Sequence, residues 1–397
     1  MQISKRVETI AASQSLAMAA QARKMKAEGI AVISMSLGEP DMDTPEHIRR
    51  AAQNAIDNHW SHYGPVPGIP SLREAIAAKQ NEQTTRSQYP NPQKHTPVVY
   101  SGEDVIVSVG AKMAIYNAIQ TVVNPGDEVI IPMPSWVSYG EMVKLAEGVV
   151  VPVETRYEDQ YSLTPEQLRG ALTSRTRMLI LCSPNNPTGS VYTPSQLEAL
   201  VAVLRDYPEV VILSDEIYNC LTYGTEAISL AAFGELSDRL IVVNGVSKAY
   251  AMTGYRIGWL LCRNKPFITA CTRLQGQQLT CATMVAQKAA EAALTGDQAC
   301  VADMREVFAE RRALICRLAA EIPGFKFTEP QGAFYLFPDV SAIGTGDEVA
   351  ELLLDQAHVA TVSGAAFGYP SCIRLSYAIN TQEIEEAMAR IKRVLTN

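Results

Sequence analysis

The segment Asn244–Trp259 (NGVSKAYAMTGYRIGW) carries the densest chemical information in the chain. Lys248 follows Leu240–Val243, an apolar run that reads as a buried strand. A side chain at the carboxyl end of such a strand points into the crevice where open α/β sheets bind ligands. An amine there loses solvation and drops in pKa, which suits a nucleophile that condenses with a carbonyl carbon. A solvated loop lysine is the commoner outcome for this residue type, and position alone does not decide between the two.

Four further segments place a distinctive polar group just after a predicted strand. Ser108-Val-Gly-Ala-Lys112 opens a helix, and its small residues let backbone N–H groups approach a phosphate. It is neither a G-x-G-x-x-G nor a P-loop, so alone it is weak. Cys182-Ser-Pro-Asn-Asn-Pro-Thr-Gly189 follows a strand and also suits an ordinary turn. Asp215 and Tyr218 follow the run Val210–Leu213, where an aspartate also serves as a helix cap. Trp136 follows Val129–Ile131 and reads as a cofactor platform or a core aromatic. Each segment has a bland explanation, but five of them at the strand ends of one sheet point to a shared site.

The elements that must hold these groups follow from the hydrophobic pattern. Strands are expected at Asp104–Val109, Glu128–Ile131, Val149–Val153, Arg177–Cys182, Val210–Ser214, Leu240–Val243 and Ile257–Cys262. Many are continuously apolar, as strands covered on both faces are. Helical signals lie between them. Met113–Val123 stops before Asn124-Pro-Gly126, and Thr193-Pro194 caps Ser195–Arg205. The alternation predicts an α/β fold, a mainly parallel seven-stranded sheet with helices on both faces. Beyond residue 262 the rhythm changes to a mostly helical stretch over 265–293, then a helix over Val301–Glu321. Short strands at Gly332–Phe337 and Cys372–Tyr377 and a closing helix at Thr381–Leu395 follow. A large domain over 50–290 and a smaller α+β domain from 1–49 plus 291–397 are expected. Thr84–Gly102 is polar, holds three prolines and reads as a surface insertion.

Composition narrows the function classes. The 397 residues carry a net charge of −8 and are 47% hydrophobic and 19% charged, which suits a large core and argues against a nucleic-acid partner. No apolar run approaches the ~18 residues of a membrane span. Lys5, Arg6 and Glu8 stand where a secretory segment would build its apolar run, so a cytoplasmic protein is expected. The eight cysteines form no C-x-x-C pair, and neither disulfides nor a metal site is expected; His59 and His62 have no ligand cluster beside them. A dehydrogenase reading fails because no G-x-G-x-x-G follows the first strand.

The motifs Ser247-Lys-x-x-x-Met-Thr-Gly-x-Arg-Ile-Gly258 and Ser183-Pro-Asn-Asn-Pro-Thr-Gly189, with Gly38-Glu-Pro-Asp-Met-Asp-Thr-Pro45 and Arg374-Leu-Ser-Tyr377, span nearly the whole chain. Together they resemble the class I aminotransferases of the aspartate aminotransferase family, pyridoxal-phosphate enzymes of fold type I. The resemblance implies that Lys248 holds pyridoxal 5′-phosphate (PLP) as a Schiff base and later shuttles a proton. Asp215 would pair with the ring nitrogen, Tyr218 and Asn186 would bind the ring hydroxyl, and Trp136 would stack on the ring. Ser247, Arg256 and the backbone at Gly110–Ala111 would hold the phosphate. Arg374 would clamp the substrate carboxylate as a two-pronged partner, with Gly38 close by. Tyr63 matches a tyrosine that reaches the cofactor phosphate of a neighbouring subunit, which implies a homodimer with two shared sites. Thr280 would act similarly, although GQQLTCAT departs from the commonest family wording.

The same resemblance implies two half-reactions. An amino acid leaves as its 2-oxo acid, and a second 2-oxo acid, with 2-oxoglutarate the usual partner, takes up the nitrogen. Lys112 beside the phosphate turn is the candidate cation for a distal carboxylate, with Ser13 and Ser15 as assisting hydroxyls, and aspartate is the expected substrate. Alternatives are an aromatic amino acid as the close competitor, a prephenate-type substrate, weakened by Ala11 where some relatives carry a basic residue, and a β-lyase reaction on the same scaffold. Intact Lys248, Asp215, Arg256 and Arg374 argue against a non-catalytic relative.

Overall fold

The computed structural model of the chain describes residues 2–11, 14–86 and 95–396. Seven strands form the main sheet: β1 (Val105–Val109), β2 (Glu128–Met133), β3 (Val149–Glu154), β4 (Thr176–Cys182), β5 (Val211–Asp215), β6 (Leu240–Gly245) and β7 (Ile257–Leu261). Their order is β1-β7-β6-β5-β4-β2-β3. All pairs among β2 to β6 are parallel, whereas β7 runs antiparallel to both its neighbours, β1 and β6. Because β7 opposes both, β1 and β6 share a direction. The carboxyl ends of β1, β2, β4, β5 and β6 therefore emerge along one edge.

Alternation along each strand builds a core on either face. Leu179, Leu181, Ile212, Leu240 and Val242 pack with the helices Pro70–Arg86, Pro194–Leu204 and Met284–Thr295. Ile180, Leu213, Ile241 and Val243 pack with Gly110–Val122 and Lys265–Gln278. Burial on both faces is why these runs are apolar without interruption, and each such side chain contributes about 1.5–3 kcal/mol. Thr193 caps the helix Pro194–Leu204 by accepting from the Gln196 amide.

A second cluster joins Ile33 and Met35 to Phe308, Phe334, Leu375 and Ile384. Ile33–Ser34 pairs in parallel with Val359–Ala360, so the N-terminal segment packs with the C-terminal part of the chain. A three-stranded antiparallel sheet of Val362–Ser363, Ile373–Ser376 and Tyr335–Leu336 completes this part. Among the described residues no helix is long and apolar enough to cross a membrane.

The stretch 265–293 is mostly helical as expected, but as two helices, Lys265–Gln278 and Met284–Thr295, separated by a turn in which Thr280 has φ +66°. The ends of the expected insertion at 84–102 are only partly surface: Thr84 in the last turn of the helix Pro70–Arg86, His95, Val98 and Tyr100 are buried, whereas Thr85, Thr96, Val99 and Ser101 are exposed. Apolar residues Val98 and Tyr100 outweigh the polar average of that stretch. Residues 87–94 lie outside the described residues.

Candidate active site

A cavity of about 360 Å3 opens at the carboxyl edge of the sheet, where Gly38, Tyr335 and Arg374 of the N- and C-terminal parts face the strand ends. From the strand ends come Trp136 after β2, Asn186 after β4, Asp215 as the last residue of β5 with Tyr218 just beyond, and Ser247 and Lys248 after β6. Ala111 and Lys112 enter on the first turn of Gly110–Val122, and Arg256 from the residue before β7. Thus eleven of the expected site residues line one space. Tyr63 and Thr280 do not line this chain's own cavity: Tyr63 is 90% exposed and Thr280 is half-buried in its turn. Ser13 and the side chain of Ser15 lie outside the described residues.

Lys248 donates to the carbonyl of Gly38, which links the β6 end to the N-terminal segment. Lost solvation lowers its pKa to about 8, while Glu39 pushes it back up and the Arg374 and Arg256 guanidiniums lower it further. Glu39 in turn accepts from the Thr253 hydroxyl. Asp215 is buried, and burial raises its carboxyl to about 6 against hydrogen bonds from Tyr139 and the Ile217 amide that pull it down. Tyr139 donates from its phenol to Asp215 Oδ2 at 2.6 Å. Burial and the neighbouring Asp215 hold the Tyr139 phenol well above its ordinary value, so it stays a donor. Tyr218 pairs with Tyr335 through their hydroxyls at 2.8 Å.

Arg374 is buried at 3% exposure, an expensive position for a cation unless its donors are satisfied. Nη1 donates to Asn186 Oδ1 at 2.9 Å and Nη2 to the Ser36 carbonyl at 2.6 Å. The guanidinium carbon lies 4.5 Å from the Tyr335 ring centroid and 4.9 Å from that of Phe367, a stack that fixes its plane. Its Nε is buried with no hydrogen-bond partner among the described residues. This is a cation held by neutral groups, with its charge available to an incoming carboxylate.

The other end of the cavity is built by close backbone approach. Gly110 has φ +79°, and a Cβ there would lie 2.5 Å from Arg256 Nη2. A Cβ on Gly258 would collide with the Ala111 amide. Arg256, itself left-handed at φ 55°, is anchored by Nη1 donating to the Thr253 carbonyl at 2.8 Å. Helix N-terminal amides beside a guanidinium and Ser247 make an anion cradle. Lys112 lies 4.8 Å from the Trp136 ring centroid, and desolvation together with Arg256 lowers its pKa.

Sequence reasoning missed Tyr139, Tyr335 and Glu39. Tyr139 stands in the first turn of the helix Ser138–Leu145, three residues after Trp136, whose ring it meets edge-on at 5.3 Å; its closeness in sequence to Trp136 was the available signal. Tyr335 sits in Phe334-Tyr-Leu-Phe337, which reads as strand core and gives no hint that its hydroxyl meets Tyr218.

Known proteins resemble the chain along nearly its whole length. The family model for aminotransferase class I and II matches residues 30–391. An aspartate aminotransferase of Bacillus sp. (strain YM-2) is 43% identical over 399 residues, covering 98% of each chain. An aspartate/prephenate aminotransferase of Nitrosomonas europaea is 40% identical over the whole of both chains. The solved structure of Thermus thermophilus aspartate aminotransferase with maleate superposes with a TM-score of 0.92 at 38% identity, covering 100% of both chains. From its motifs, its fold and these full-length matches, the chain belongs to the class I and II aminotransferases.

Proposed function

We propose that this aminotransferase moves the amino group of aspartate to 2-oxoglutarate in two half-reactions, with PLP as its cofactor. The observation that carries the reading is the convergence of the Lys248 amine, the buried Asp215 carboxylate and the Arg374 guanidinium in one cavity. The names of the relatives support aspartate.

The residues present fit the cofactor. The cradle of Gly110, Ala111, Ser247 and Arg256 suits its phosphate, because Gly110 and Gly258 leave room only for backbone. Asp215 would face the ring nitrogen, Tyr218 and Asn186 the ring hydroxyl, and Trp136 the ring face. When bound, the cofactor supplies an aromatic ring that accepts the electron pair left on the substrate Cα. The rest of the work falls to side chains. Arg374 grips the α-carboxylate and sets the direction of the Cα–H bond. Lys248 Nζ, lowered toward neutrality by lost solvation, takes the Cα proton. Asp215 would keep a proton on the ring nitrogen, and the Tyr139 hydrogen bond favours the carboxylate form suited to that role. Lys112 would meet the distal carboxylate of the substrate.

The division into 50–290 and 1–49 with 291–397, and a homodimer in which Tyr63 and Thr280 reach the partner's phosphate, belong to the same proposal. A cytoplasmic setting fits eight free cysteines. Prephenate is a second acceptor worth assaying: a relative bears that name, and Leu16 and Ile115 give the cavity apolar lining.

The test is the visible spectrum of the PLP-loaded protein. Aspartate is expected to convert the pyridoxal band to that of the pyridoxamine form, and oxaloacetate to restore it. Release of ammonia and pyruvate from a cysteine conjugate, with no nitrogen transfer from aspartate, would overturn the reading in favour of a lyase.

A further inference from the structure

Two glutamines outside the cavity tie together the segments on which Tyr63 and Thr280 stand. Gln275 and Gln287 are both 0% exposed and flank the turn between the helices Lys265–Gln278 and Met284–Thr295. Gln275 donates from Nε2 to the carbonyls of Val66 at 2.8 Å and Val107 at 2.9 Å, and its Oε1 accepts from Asn117 Nδ2 at 3.2 Å. Gln287 accepts at Oε1 from the Ile69 amide at 2.9 Å and donates from Nε2 to the Ala282 carbonyl at 2.8 Å. One side-chain amide thus bridges the 63–69 loop to the 279–283 turn.

The loop is seated tightly. The Val107 amide donates to the Pro67 carbonyl at 2.9 Å, which stitches the loop to β1. At Gly68, with φ +100°, a Cβ would lie 2.6 Å from Val107 Cγ2 and 3.1 Å from Gln287 Oε1. Against this fixed backbone Tyr63 is 90% exposed. An aromatic side chain held out on an ordered backbone loses little freedom when a ligand meets it. Gln287 thus holds the backbone of both segments, at Ile69 and Ala282, while Gln275 ties the loop at Val66 to β1 at Val107.

We infer that Gln275 and Gln287 are positioning residues that hold Tyr63 and Thr280 in register for the cofactor phosphate of a second copy of the chain. The inference rests on the proposed sharing of active sites between two subunits. It requires that damage to Gln287 be felt in the opposite subunit's site and not in its own.

Mixed dimers carrying two different affinity tags test this. In each, one chain carries Lys248→Ala, so the visible band that PLP gains on condensing with Lys248 reports only the other chain's site. Gln287→Met is placed either in the Lys248→Ala chain or in the reporting chain, and the PLP dissociation constant is read by titration. A rise of roughly tenfold is expected only when the substitution lies in the Lys248→Ala chain, opposite the reporting site. Gln287→Glu, which keeps an acceptor for the Ile69 amide, should give a smaller rise in the same arrangement. Where Gln287→Met yields no dimer, Gln275→Glu, which removes the donors to Val66 and Val107, carries the test. Weakening only in the substituted chain's own site, or in neither arrangement, overturns the inference. Tyr63→Phe is the control. If it acts on the opposite site and the glutamine variants do not, only this inference falls; if it does not, the shared-site reading falls too.

Discussion

The Tyr139 phenol donates to Oδ2 of Asp215 across 2.6 Å at the end of β5, and both groups are buried. That bond opposes the burial that raises the Asp215 carboxyl to about 6. Tyr139→Phe removes it without changing the packing volume. A hydrogen bond to a charged group is worth ~1.5–3 kcal/mol, so the Asp215 carboxyl should rise by roughly one unit or more. The acid limb of the pH–rate profile should move up accordingly and kcat should fall. An unchanged acid limb would remove Asp215 as the group reporting there.

Arg374 is held by Asn186 Oδ1 and the Ser36 carbonyl between two aromatic rings. Arg374→Ala should raise KM for aspartate by about 100-fold or more, the loss of a two-pronged charge-assisted contact, and change PLP affinity little. Arg374→Lys keeps charge but loses the fork, and should recover only part of the loss. Equal losses of substrate and cofactor affinity would count against the clamp.

The partly desolvated Lys248 amine makes stability depend on pH with a definite sign. Its pKa falls from 10.5 to about 8 on folding. Between those values the unfolded chain binds more protons than the folded one, so this group's contribution to stability rises with pH through the window. Cofactor-free wild type should gain roughly 3 kcal/mol over Lys248→Ala between pH 8 and pH 10.5. Denaturant titrations of the two proteins at each pH measure it. Lys248→Ala should also abolish turnover while PLP still binds through its phosphate.

Lys112 lies over the Trp136 ring inside the cavity, where desolvation and Arg256 lower its pKa. Lys112→Met should raise KM for aspartate by roughly fivefold, the scale of a partly exposed ion pair, and leave KM for phenylalanine nearly unchanged. Parallel steady-state kinetics on the two amino acids decide it. Equal effects on both would exclude a contact to the distal carboxylate.

Gly110 has no space for a methyl group beside Arg256 and sits at a positive φ. Gly110→Ala should weaken PLP binding by about tenfold or more, from the ~1–2 kcal/mol cost of that backbone region together with displacement of Arg256. Fluorescence titration with PLP reads the change.

The central strands were legible because short continuous apolar runs such as Val210–Leu213 and Leu240–Val243 suit strands buried on both faces; Val149–Glu154 at the sheet edge is partly exposed, and the structure has strands at all seven expected places. Site residues at strand ends were legible for the same reason, since the run that marks the strand also marks where it stops. What stayed hidden depends on contacts between distant segments. Nothing local tells that Tyr335 would meet Tyr218, or that Glu39 would accept from Thr253. The break at Leu279–Thr283 was hidden because its residues carry neither proline nor glycine, and the left-handed Thr280 is sustained by surrounding packing.

The reversed direction of β7 has a thermodynamic consequence. Gly245 at the end of β6 is paired with Gly258 of β7, so the segment from Lys248 to Arg256 leaves the sheet and returns to the adjacent strand. Both ends of this short excursion are clamped by the sheet, and Arg256 is fixed to Thr253 within it. The entropy of ordering that excursion is therefore lost when the chain folds, not when a ligand arrives. An anion entering between Gly110 and Arg256 meets a receptor already rigid, and its binding free energy is not diminished by having to shape the site.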